Sequence, residues 1–137
     1  MRRLIIFGWL AATFVLAACS SNLAVPVGGG CSSDDVCLTG FCILDTDASG
    51  QATHWEGGYC SGNCQKYSCP QGSCLTLADG KSYCVATCAT DGDCRQGYIC
   101  ARAVSACLPD CRLGWSCGDT LTCNIDDGSC VLPAATP

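Results

Sequence analysis

Basic side chains are scarce in this chain: beyond Arg2 and Arg3 only five lysines and arginines remain, against twelve aspartates and glutamates. A balance of that sign repels phosphate backbones and argues against nucleic acid as a partner. Histidine occurs once, as His54, with no recognisable nucleophile to act on, and no pair of carboxylates is marked out for acid–base work. No enzymatic activity is therefore expected. A C-x2-C spacing is absent throughout, which removes the usual signature of zinc and iron–sulfur sites, thioredoxin-like redox centres and c-type haem attachment. Neither a metal nor a cofactor is expected. Leu, Ile, Phe and Met are thinly spread after residue 18, and no stretch sustains a helical period. Ordering each residue costs about 1 to 2 kcal/mol of backbone entropy, more than so little apolar surface offsets. Cross-links must supply the difference.

The long apolar run lies at the start. Met1-Arg2-Arg3 is followed by uncharged, mostly apolar residues 4–18 and ends in small side chains, the three-part form of a signal peptide. The run is shorter than the ~20 residues a spanning helix needs. Its end, Leu16-Ala17-Ala18-Cys19, resembles the lipobox of bacterial lipoproteins. That resemblance implies that Leu16, Ala17 and Ala18 are recognised by a signal peptidase and that Cys19 becomes the acylated first residue. It further implies a membrane partner through the lipid anchor and a location in the cell envelope. Ser20 follows the cysteine rather than the Asp that suggests inner-membrane retention, so the outer membrane is expected where there are two. Two or three acyl chains, at ~0.8 kcal/mol per buried methylene, hold stably where one holds marginally.

From Cys19 to Pro137, five basic and twelve acidic residues give a formal charge of −7. Setting Cys19 aside leaves sixteen of the seventeen cysteines, an even number in an exported, oxidising setting, and hence a disulfide framework. Residues 20–30 contain no cysteine, end in three glycines and read as a flexible tether after Cys19; residues 131–137 form a short tail.

Between them the cysteines fall into four sets of four: 31, 37, 42 and 60; 64, 69, 74 and 84; 88, 94, 100 and 107; 111, 117, 123 and 130. The spacer between sets is always three residues: Ser61-Gly62-Asn63, Val85-Ala86-Thr87 and Leu108-Pro109-Asp110. The variable gap before each fourth cysteine reads as a hairpin. In the second unit Asp79-Gly80 suggests a type I′ turn, in the fourth Asp127-Gly128 marks the reversal, and in the first a longer excursion turns around Ser49-Gly50. The third unit carries no turn signal. The fold class expected is small and disulfide-rich: four tandem loop-rich units (31–60, 64–84, 88–107, 111–130) with short β-hairpins and little helix outside the signal peptide. Four cysteines in a unit allow three connectivities.

Within the third unit, Cys88-x2-Asp91-x-Asp93-Cys94-x2-Gly97-x2-Cys100 resembles the start of the cysteine-rich N-terminal domain of Dickkopf proteins, and the first unit, with Asp34, Asp35 and Gly40, is similar more loosely. Similar spacings occur in cysteine-rich bacterial lipoproteins. The resemblance implies first-to-third and second-to-fourth bonding in every unit: Cys31–Cys42, Cys37–Cys60, Cys64–Cys74, Cys69–Cys84, Cys88–Cys100, Cys94–Cys107, Cys111–Cys123 and Cys117–Cys130.

One stretch competes for a functional reading. Asp45-x-Asp47-x-Ser49-Gly50-x5-Glu56 places oxygen ligands at positions 1, 3, 5 and 12 and glycine at 6, and so resembles an EF-hand calcium loop. Cys42 and Cys60 leave no room for the flanking helices, and two other units put an acid–glycine turn in the same gap, so a solvated hairpin is the simpler reading. Calcium-dependent binding through Asp45, Asp47, Ser49 and Glu56 is the alternative. His54 is expected to face solvent, Asp91 and Asp93 to shape the turn before Cys94, and the aromatic residues to cover disulfides, with Trp55 or Trp115 free to anchor a partner. The whole reads as a rigid acidic rod for binding a protein or envelope partner or for envelope architecture. Thiol titration of the exported, denatured but unreduced protein is expected to find no free thiol in residues 31–130; several reactive thiols would sink the disulfide reading.

Overall fold

A computed structural model describes residues 24–66, 68–77, 79–117 and 121–133. The signal peptide, the lipobox and Cys19 lie outside these, as do residues 20–23 and 134–137. Among the described residues no helix is long and apolar enough to cross a membrane.

Four antiparallel two-stranded hairpins follow one another: β1 (Phe41–Ile43) with β2 (Tyr59–Ser61), β3 (Gly72–Thr76) with β4 (Ser82–Ala86), β5 (Tyr98–Ala101) with β6 (Ala106–Pro109), and β7 (Thr122–Cys123) with β8 (Cys130–Val131). In every hairpin the third and fourth cysteines of the unit are direct cross-strand partners: Cys42 with Cys60, Cys74 with Cys84, Cys100 with Cys107 and Cys123 with Cys130. Each then bonds back to the loop before the hairpin. Cys31–Cys42 and Cys37–Cys60, Cys64–Cys74 and Cys69–Cys84, Cys88–Cys100 and Cys94–Cys107, and Cys111–Cys123 and Cys117–Cys130 are all formed. This is the interlaced pairing that the Dickkopf resemblance implies. In the chain-entropy account each bridge contributes ~3 kcal/mol.

The constant spacer has a structural cause. The N–H of the first cysteine in each unit donates to a carbonyl shortly before the fourth: Cys31 to Gly57, Cys64 to Ser82, Cys88 to Ser105 and Cys111 to Gly128. The spacer is thus laid alongside the hairpin, as the bridges of Asn63 with Tyr83 and Thr87 with Ala106 also record. Its length is set by register. Residues 28–30 occupy the same place before the first unit: Gly28 N–H donates to Cys60 O and Cys60 N–H to Gly29 O. Val25 pairs with Cys37, and Val27 is buried. The tether expected over residues 20–30 is therefore docked from Val25 onward, because its glycines give the backbone close access to β2.

The turns differ from the expected type. Gly80 N–H donates to Leu77 O and Leu77 N–H to Lys81 O, and only Gly80 of the Asp79-Gly80 pair has positive φ, at 72°. This is the wider turn with one left-handed residue, not type I′, which needs two. The excursion of the first unit repeats it, with Gly50 bonding to Asp47 O and Asp47 to Gln51 O. The third unit does make a hairpin; its left-handed position is Ser105, φ 49°, whose carbonyl accepts the Cys88 N–H. In the first and third units, single turns of 3-10 helix at Asp34–Val36 and Asp91–Asp93 place a carboxylate on the third cysteine: Asp34 accepts from Cys42 N at 2.7 Å and Asp91 from Cys100 N at 3.0 Å. Asp93 accepts from Ala89 N and Thr90 N, shaping the turn before Cys94.

The units do not stand in a row. The long excursion of the first carries Trp55 into a shared core, 4% exposed, where its ring lies 4.7 Å from Tyr59, 6.1 Å from Tyr98 and 5.7 Å from Trp115. First, third and fourth units therefore meet, and the expected rod closes on itself. Val85, Leu108 and Leu121 complete the cluster. Trp55 and Trp115 are consequently core residues and not free anchors. Tyr59 ties three units: its hydroxyl accepts from Ala86 N at 2.8 Å and donates to Cys107 O at 3.4 Å. Trp55→Ala is expected to lower unfolding stability by ~3 to 5 kcal/mol with all bridges intact, measured by denaturant titration; a loss near zero would show the units to be held by their disulfides alone.

Candidate functional site

The backbone that brings Trp55 inward also shapes an opening between units. Thr53 Oγ1 donates to Leu44 O and Thr53 N–H to Asp45 O, closing the base of the excursion. The chain then swings through His54 in a left-handed conformation, φ 64°, which a non-glycine residue holds only when its surroundings impose it. Arg95 fixes the residues that follow. Its guanidinium donates to Gly58 O at 2.6 Å and Glu56 O at 3.1 Å and lies 4.5 Å from the centre of the Tyr98 ring. Gly30 and Gly57 leave room for the guanidinium, since a Cβ on either would crowd Arg95 Nη1, and Gly58, at φ 66°, leaves room for the Cys31 carbonyl.

The result is a cleft of about 380 Å³ between the first, second and fourth units. Trp55 and Trp115 form part of its wall, with Ile43 and Leu77 beside them. Polar groups come from His54 and from the Asp79–Tyr83 pair, in which the tyrosine hydroxyl donates to the carboxylate at 2.8 Å. His54 is half-buried and faces the fourth unit at Gly114, where an added Cβ would sit 3.5 Å from the imidazole. It does not face open solvent, because the excursion folds against that unit. An apolar wall with a few polar groups is the usual make-up of a small-ligand site. What these side chains offer is a mostly apolar wall, one carboxylate and one imidazole, which suits non-covalent recognition.

The calcium-like set is not assembled in this way. Asp47 accepts from Ser49 N, Ser49 Oγ and Gln51 N at 2.8, 2.6 and 2.9 Å, and these bonds hold its carboxyl below the usual range although it is exposed. The Glu56 carboxylate instead lies beside Gly97 of the third unit. Among the described residues, the trios of ligand-bearing side chains gathered within 4.8 Å are all cysteines, and all are in disulfides. Asp45, Asp47 and Glu56 are not brought together. The sequence does not bring out the Asp79–Tyr83 pair or, in a different place, the role of Arg95, whose one signal is a rare cation following a cysteine.

Comparison with known protein families, curated proteins and solved structures finds no match to this chain.

Burial pushes the phenols of Tyr59 and Tyr98 up from 10.0 to about 12, and partial burial with the hydrogen bond and charge of Asp79 does the same for Tyr83. As pH rises past 10 the unfolded chain releases these protons first. The linked stability is therefore intact below pH 10 and is lost as pH rises toward about 12. Tyrosinate absorbance in rapid pH jumps is expected to lag that of free tyrosine. In Asp79→Asn one tyrosine ionises at lower pH than in wild type; an unchanged titration would show that Asp79 plays no part in the shift.

Proposed function

We propose that this chain is a lipid-anchored, disulfide-stapled surface protein of the bacterial cell envelope, with a non-enzymatic binding or structural role. The observation that carries the reading is the partition of its cysteines. Sixteen of seventeen are paired in four complete units, and the one outside them is Cys19, at the end of Leu16-Ala17-Ala18. A disulfide framework on this scale belongs to an oxidising compartment, and a signal peptide delivers a chain to one. The lipobox reading then gives the unpaired cysteine its chemistry, a thioether to lipid, and leaves no stray thiol. In an organism with two membranes the outer one is the destination. The cleft between the first, second and fourth units is the place for a partner, and its aromatic wall and Asp79 favour a ligand with an apolar face and a hydrogen-bond donor or cation.

Expression in a lipoprotein-processing bacterium with labelled palmitate tests the anchor. Wild type is expected to carry label and to enter the detergent phase on Triton X-114 partition, and Cys19→Ala to do neither. Unlabelled, aqueous wild-type protein would sink the proposal.

A further inference from the structure

The eight bridges are not equally protected. Of the sixteen half-cystines, all of them among the described residues, Cys74 alone is exposed. Its counterparts Cys42 and Cys100 are buried and Cys123 is half-buried, while all four cysteines that close the units, Cys60, Cys84, Cys107 and Cys130, are buried. The partner Cys64 is half-buried, and its sulfur lies within 4.8 Å of the sulfurs of both Cys69 and Cys84, the second bridge of the same unit. A nucleophile arriving from solvent thus meets Cys74 as the most exposed half-cystine, and the sulfur it displaces lies against another disulfide.

We infer that Cys64–Cys74 is a thiol-exchange site, at which a thiol-bearing compound forms a mixed disulfide with Cys74. The incoming thiol, having lost its proton to solvent, attacks Cys74 Sγ as the thiolate. A new sulfur–sulfur bond forms there, the Cys64–Cys74 bond breaks, and its electron pair leaves on Cys64 Sγ. No net oxidation or reduction occurs. Exchange rate depends on which sulfur is attacked and on access to it, and access separates this bridge from the other seven. The released Cys64 thiolate is held beside Cys69–Cys84, so it stays within the unit. The inference is independent of lipid anchoring, since it uses only the repeat region.

The test uses the oxidised wild-type protein in two arms, one with glutathione and one with a folded protein carrying a single exposed cysteine. Each is quenched at short times with N-ethylmaleimide and mapped by peptide mass. The expected first product carries the thiol on Cys74 and maleimide on Cys64, forming about tenfold faster than any other adduct. That product in either arm supports the site, and the arm that yields it names the source of the thiol. A first adduct at another bridge, or loss of all eight bridges together in both arms, would overturn it.

Discussion

Everything in this fold depends on two disulfides leaving one cross-strand pair. Where Cys74 faces Cys84, or Cys100 faces Cys107, the strands are already in register, and each cysteine reaches back to a different point of the preceding loop. A two-stranded hairpin alone is marginal in water. Tying its centre to two loop positions removes much of the freedom that folding would otherwise have to overcome, and the sulfurs themselves fill the interior a small unit cannot fill with leucine. The short strands are a consequence: two residues suffice in β7 and β8 because the bridges hold the pairing.

Closure of the four units into one body is a separate matter, and it rests on few side chains. Among the described residues no disulfide crosses from one unit to another. Trp55, Tyr59, Tyr98 and Trp115 supply the apolar contact, and Arg95 and the Tyr59 hydroxyl direct it. Aromatic rings bury more area per residue than any alternative, which matters in a chain so poor in aliphatic core residues. Arg95 also donates to the carbonyls of residues 56–58, sharing Gly57 O with the Cys31 N–H and Glu56 O with the Tyr98 hydroxyl.

What could be read from residues alone was whatever repeats or is local. The cysteine sets, the reversals at Gly50, Gly80 and Gly128, and the role of Asp93 follow from spacing and short-range hydrogen bonding. The third hairpin escaped notice because Ser105 takes the left-handed position without glycine, held by a bond to Cys88 far away in the chain. Residues 25–30 were read as a tether because glycines suggest freedom; here their lack of side chains lets the backbone pair with β2. Trp55, expected to cover a disulfide or to anchor a partner, is a core residue. Its burial depends on Trp115, a contact between distant residues that no local pattern encodes. The cleft was invisible for the same reason, since Ile43, Asp79 and Trp115 come from three different units.

The docking of residues 25–30 changes what an anchor at Cys19 means. On the lipidated reading only residues 20–24 are left between the lipid and the first backbone pairing at Val25. Six Cα steps span at most about 20 Å, roughly two Debye lengths at physiological ionic strength. The folded body, bearing most of a formal charge of −7, is then held near the bilayer but beyond the range at which charge on a lipid surface acts strongly on it. A long flexible leash would let the body explore freely. A short one keeps it near the bilayer, with the first unit the nearest of the four to the anchor.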